Sequence, residues 1–198
     1  MHRRQLTQAL IALACVGNRS AIAQSAAPST DRFFALLRQG GFIVLMRHAQ
    51  TDPGIGDPPD FRLEDCGTQR NLNDEGRAQA RRIGEWFQAR QLQPAKVLSS
   101  PWCRCIDTAT LAFGAPQVWA PLGSPRGYPE TTGAAHLRAL RDALAAASAR
   151  SGRFEVWVSH MFVQADLAQD STRSGEALIL RQQGGAAPQV LARWALPG

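Results

Sequence analysis

Apolar positions along this chain fall into two rhythms. The run Phe42-Ile43-Val44-Leu45-Met46, and Phe154-Glu155-Val156-Trp157-Val158 with one charge in it, have the length and composition of buried strands, with weaker runs at 96–99, 117–119, 176–181 and 189–195. Between them, apolar residues recur three and four apart, as on one face of a helix. Residues 31–39 carry Phe33, Phe34, Leu36 and Leu37 and stop at Gly40-Gly41, where glycine can end a helix. Asn73 precedes a helix to about Arg90, with Asp74 and Glu75 in its favourable first turn and Ile83, Trp86 and Phe87 inward. Ser100-Pro101 reads as the start of a helix over 101–113, the serine capping and the proline in the first helical position. An alanine-rich helix at 134–149 and a short helix after His160 complete the set. This alternation predicts an α/β fold: a three-layer α/β/α sandwich with a mainly parallel central sheet, its last two strands a hairpin around Gly184-Gly185.

Two stretches follow neither rhythm. Residues 49–70, with Pro53, Gly54, Gly56, Pro58 and Pro59, form a long irregular connection, and residues 120–133 form a second. Connections of that length inside a compact domain are uncommon unless functional, so the first is expected to be a lid or substrate wall.

The N-terminus has the form of an export signal: Arg3-Arg4, an apolar segment from Leu6 to Val16, then Ala21-Ile22-Ala23 before Gln24. The segment is too short to span a bilayer. Arg3-Arg4-Gln5-Leu6 fits a twin-arginine leader and an ordinary secretory leader alike. Residues 1–23 are therefore expected to be removed, leaving 24–198 as a single domain with no stable membrane insertion, in an oxidising compartment such as a bacterial periplasm. The full chain of 198 residues, 44% hydrophobic and 19% charged, suits one compact core.

The net charge of +6 falls to +3 once Arg3, Arg4 and Arg19 leave, and Lys96 is the only lysine. No basic run interleaves with aromatics, so a nucleic-acid partner is not expected. Cys66, Cys103 and Cys105 remain after processing. A bridge from Cys66 to either Cys103 or Cys105 would pin the 49–70 loop to the 101–113 helix and stabilise by roughly 3 to 4 kcal/mol. Cys103-x-Cys105 with Cys66 lacks the second ligand pair of a zinc site, and no metal is expected.

Candidate chemistry sits where strands end. The first strand runs into Arg47-His48, a later one into Ser159-His160, and Arg104 falls in the first turn of the helix after the 96–99 strand. Strand ends open into the crevices where α/β sheets bind ligands, and cations near a helix start suit an anion.

Met46-Arg47-His48-Ala49-Gln50-Thr51 resembles the Arg-His signature of the histidine phosphatases, the phosphoglycerate-mutase-like superfamily. Asn71-Leu72-Asn73-Asp74-Glu75-Gly76-Arg77-Ala78-Gln79-Ala80 is similar to the family's L-x-x-x-G-x-x-Q-A helix. Ser99-Ser100-Pro101-Trp102-Cys103-Arg104 with Thr108-Ala109, and Val158-Ser159-His160, resemble its remaining motifs, so the likeness spans roughly residues 40 to 195. It implies a hydrolase of phosphomonoesters that needs no metal or cofactor. His48 would attack phosphorus and form a phosphohistidine, Arg47, Arg104 and His160 would surround the phosphoryl group, and Thr51 would join in substrate binding. The substrate would be a small phosphorylated metabolite or, by analogy with exported relatives, a cell-envelope sugar phosphate.

Departures from the pattern concern the acid. Leu122-Gly123-Ser124 has serine where many relatives carry glutamate, leaving Glu130, Asp52 and the Glu64-Asp65 pair as substitutes, or no acid at all. Met161-Phe162-Val163-Gln164 lacks a glycine common in relatives and should reshape the pocket by bulk. The alternative reading is a phosphate-binding envelope protein that kept the pocket and lost the reaction.

Overall fold

The computed structural model describes residues 30–54, 56–125, 132–184 and 187–196. The expected leader, Glu130 and Gly185 lie outside the described residues. Helix α1 spans Thr30–Gln39, strand β1 Phe42–Arg47, α2 Asp74–Ala89, β2 Lys96–Ser99, α3 Cys103–Phe113 and β3 Gln117–Val118. Then follow α4 Ala134–Ser148, β4 Phe154–Ser159, α5 Met161–Ala168, β5 Ala177–Arg181 and β6 Gln189–Trp194.

The strands form one sheet in the order β3-β2-β4-β1-β5-β6. Strands β1 to β4 run parallel, and β5 is antiparallel to β1 and β6 beside it. Alternation within the strands divides the core. Phe42, Val44 and Met46 pack on Phe33, Leu37, Ile83, Phe87 and Ala109 of α1, α2 and α3, whereas Ile43 and Leu45 pack with Leu140, Leu144, Val163 and Leu167 of α4 and α5. Helices thus cover both faces, and β1 reads as a continuous apolar run, as does β4 apart from Glu155, because neither side meets water.

One helix start differs from expectation. Helix α3 begins at Cys103, and Trp102 in extended conformation is its N-cap residue with no side-chain cap bond. Ser100 and Pro101 stay outside the helix. The Ser100 hydroxyl instead lies 2.8 Å from His160 Nε2 and accepts from the Trp102 amide at 3.3 Å. Asn73 does cap α2, its Oδ1 accepting from the Gly76 amide at 2.8 Å.

Gly76 and Gln79 explain the α2 motif physically. A Cβ on Gly76 would sit 1.9 Å from the Gln50 carbonyl oxygen, so only glycine lets the helix lie against the chain just after His48. Gln79 Oε1 accepts from the Gln50 amide at 3.0 Å, and its Nε2 donates to the Ser174 carbonyl at 3.0 Å. The 49–70 stretch is irregular as expected, apart from a 3-10 turn at Cys66–Thr68. The Cys66 and Cys103 sulfurs lie at bonding distance, with their Cα atoms 5.7 Å apart, so Cys103 and not Cys105 is the neighbour of Cys66. Cys105 is buried and unbridged.

Candidate active site

Parallel pairing of β1 with β4 places Arg47 opposite Ser159. The next residue of each strand, His48 and His160, therefore leaves the sheet edge beside the other, with ring centroids 5.5 Å apart. Strand β2 flanks β4 on the other side and feeds α3, whose buried Arg104 brings Nη2 to 3.5 Å from His160 Nδ1. Arg47, His48, Arg104 and His160 line one cavity of about 240 Å³ at the carboxyl ends of three parallel strands.

Hydrogen bonds fix both rings. His48 Nδ1 lies 2.8 Å from the Ala49 carbonyl, which can only accept, so Nδ1 carries the proton and Nε2 keeps the lone pair. Arg104 can only donate to His160 Nδ1, so that ring carries its proton on Nε2, toward Ser100. Burial above all, then Arg104, pushes His48 down to about 3, with smaller contributions from Arg47 and Arg70. Burial and Arg104 likewise hold His160 well below the ordinary histidine range. Both imidazoles are neutral at neutral pH, and desolvation outweighs the neighbouring guanidiniums as the cause.

The supports are short chains of contacts. Thr108, one turn after Arg104, donates to the Arg104 carbonyl at 2.7 Å and accepts from the Ala49 amide at 2.9 Å, joining α3 to the residue after His48. Arg47 Nη1 donates to the Thr172 carbonyl at 3.1 Å, and Gln164 holds Thr172 through its amide and hydroxyl while donating to the Leu45 carbonyl. The Nε groups of Arg47 and Arg104 are buried without a partner. An unpaired donor beside a cavity is costly unless an acceptor binds there.

Two site residues escaped the sequence reading. Asp57 and Arg70, both from the 49–70 loop, also line the cavity. Asp57 Oδ1 accepts from Arg104 Nη1 at 2.7 Å and from the Arg70 amide at 2.9 Å, and Oδ2 accepts from Trp102 Nε1 at 2.9 Å. Burial would raise this carboxyl, but the hydrogen bond from Arg104 and those from the Arg70 amide and Trp102 outweigh it and hold it below the usual carboxylate range. Arg70 Nε donates to the Gly56 carbonyl at 2.8 Å and its Nη1 to the Thr51 hydroxyl. The available signal was position alone: lone charges in a Pro- and Gly-rich stretch expected to wall a cationic pocket.

Thr51 is corrected in turn. It lies behind Arg70, accepting from that guanidinium and donating to the Asp52 carbonyl at 3.1 Å, so it holds an arginine and does not form the cavity wall. Asp52 and Glu64 are exposed, and Asp65 caps the 66–68 turn through the Gly67 amide while pairing with Arg62 at 2.6 Å. None of the three lines the cavity, whereas Ser124, Met161 and Phe162 do. Among the described residues, no three His, Cys, Asp or Glu side chains gather as a metal-ligand set.

The model of the histidine phosphatase superfamily (branch 1) matches residues 43–122 of the chain. The match spans 80 of the chain's 198 residues. The 49–70 loop, α2, β2, α3 and all of β1 but Phe42, with Arg47, His48, Asp57, Arg70 and Arg104, fall inside the match. Solved structures agree on the fold. A phosphoglycerate mutase from Thermus thermophilus is 18% identical, covers 79% of this chain and 99% of its own, and superposes with a TM-score of 0.54. The protein histidine phosphatase SixA, solved with tungstate, is 16% identical over 77% of this chain and 95% of its own, with a TM-score of 0.53. An open-reading-frame product of Mycobacterium tuberculosis is 22% identical over 76% and 95%, with a TM-score of 0.54. No curated protein matches the chain.

Proposed function

We propose that the protein is a histidine phosphatase that hydrolyses small phosphomonoesters through a phosphohistidine at His48. One observation carries the reading: an imidazole with its Nδ1 proton on the Ala49 carbonyl presents Nε2 as nucleophile in a cavity it shares with three arginines. Burial keeps that nitrogen unprotonated, and in-line attack needs a lone pair. Arg47, Arg70 and Arg104 set against Asp57 leave two net positive charges, the complement of a phosphoryl dianion. The unpaired Nε donors of Arg47 and Arg104 would meet its oxygens. His160 joins them by accepting a proton as the anion arrives, since a bound dianion offsets the guanidiniums that now disfavour its charge.

The roughly 240 Å³ cavity suits a phosphoryl group with a small leaving group, such as a metabolite or a cell-envelope sugar phosphate. The N-terminal signal supports export to a periplasm, where the Cys66–Cys103 bridge would form and persist. Ser124 on the cavity wall, in place of a carboxylate, favours a second reading in which the protein binds phosphate without turnover. Release of phosphate from 4-nitrophenyl phosphate at pH 5.5 decides between them. We expect turnover that EDTA leaves intact and that falls at least about a thousandfold in His48→Ala, as when a covalent nucleophile is removed. Negligible rates in both proteins would favour the binding protein.

A further inference from the structure

The hydrolase reading commits the proton of His160 to the phosphoryl oxygens and leaves the leaving oxygen without a donor, for which the described cavity wall contains one carboxyl candidate. Asp57 is the sole carboxylate among the described residues that line the cavity. It is also placed to respond to substrate, because its side chain, 5% exposed, holds the same Arg104 guanidinium that a phosphoryl group would claim. The loop carrying it is anchored at both sides of the carboxylate: Arg70 bonds the Gly56 carbonyl and the Asp57 side chain, and Cys66 lies at bonding distance from Cys103 beside Arg104.

We propose that Asp57 is the general acid and base of the reaction, released from Arg104 by the incoming phosphoryl group. A phosphomonoester loses its second proton near pH 6, so a monoanion brings a proton with it. As its oxygens take the Arg104 donors, Asp57 loses its strongest hydrogen bond and gains a negative neighbour, and both changes favour the neutral acid. The proton moves from the phosphoryl oxygen to Asp57. His48 Nε2 then forms its bond to phosphorus while the bond to the leaving oxygen breaks; that oxygen keeps the electron pair and takes the proton from Asp57. In the second half, water adds to phosphorus, its proton passes to the Asp57 carboxylate, and the N–P bond breaks with the pair returning to Nε2. The charge of the resting site has the same explanation, since Asp57 fills the Arg104 position that would otherwise be an unpaired buried cation.

The proposal rests on the hydrolase reading, and leaving-group dependence separates the two. Values of kcat/KM are measured for 4-nitrophenyl, phenyl and ethyl phosphate with the wild type, Asp57→Asn and Asp57→Glu. A donor matters most for the poorest leaving group. We expect Asp57→Asn to lose about tenfold on 4-nitrophenyl phosphate and about a thousandfold on ethyl phosphate, with Asp57→Glu recovering part of the second loss. Equal losses across the series would make Asp57 only a counter-ion of Arg104 and overturn the proposal. A wild type inactive on all three substrates would overturn the hydrolase reading and this one with it. The wild type alone gives a second measurement, independent of how the variants fold. The charged and titratable groups around Asp57 are Arg70 on its own loop, Arg104 of α3, Arg47 and His48 at the end of β1, and His160 after β4. These act on every substrate alike, whereas the proton given to Asp57 arrives on the substrate monoanion, so the activity on ethyl phosphate should fall away above that ester's own second ionisation, near pH 6, and undiminished turnover of the dianion at higher pH would overturn the proposal.

Discussion

Desolvation keeps the imidazoles of His48 and His160 neutral in the folded chain. An apolar run ending in Arg-His marks a strand end, but nothing in the chain's order says that burial would keep both rings neutral. That property comes from packing, and it has a stability consequence. A histidine whose native pKa is depressed binds a proton in the unfolded chain first, so its cost is absent above pH 6.5 and grows as pH falls below it. Each ring should subtract about 1.4 kcal/mol per pH unit, continuing for His48 toward about 3. Asp57, held below its usual value, changes stability only below about 3.8 and stays out of this window. Urea denaturation at pH 7 and pH 5 should show a steep loss in the wild type and a much smaller one in the His48→Asn, His160→Asn double variant. Parallel losses would refute the assignment of two neutral buried rings. Asp57 and Arg70 were illegible for a different reason: a charge in an irregular stretch has no periodicity to place it, and only the folded loop shows that both point at Arg104.

Elements were the easiest scale to read, because hydrophobic period is a local property. Strands β1, β2 and β4 begin and end where the apolar runs do, and α2 starts at the asparagine cap. The start of α3 was misplaced since Ser-Pro is a sound local signal that a long-range bond overrides: Ser100 is engaged by His160, sixty residues away. Helix α2 carries a sharper lesson. By propensity alone, alanine at Gly76 should stabilise an exposed helix by roughly 0.8–1 kcal/mol. Here the added methyl would meet backbone rather than a movable side chain, at 1.9 Å from the Gln50 oxygen. We expect Gly76→Ala to lower stability by about 1–3 kcal/mol and to reduce kcat, since Gln50 lies two residues from His48. Thermal melts and steady-state rates check this, and a variant as stable as the parent would show that α2 can shift away at no cost.

At the scale of the whole molecule, the sheet order was not in the sequence, which predicted layers and direction but not which strands are neighbours. The Cys66–Cys103 link is a whole-molecule feature of the same kind, joining segments 37 residues apart. A closed loop of that length should stabilise by roughly 4 kcal/mol under the chain-entropy account. Cys66→Ser should therefore melt well below the oxidised wild type and coincide with it in dithiothreitol; identical melts without reductant would mean that the link does not form. Chain order and spatial order also disagree at the centre of the sheet. Strand β4 lies between β2 and β1, yet it is made after both. While the ribosome is still upstream of residue 154, β1 and β2 have no common neighbour and expose unpaired edges. A nascent chain of this protein is consequently all-or-nothing: it stays sticky and inert through most of its synthesis, and any truncation ahead of β4 yields an aggregation hazard in place of a half-working enzyme.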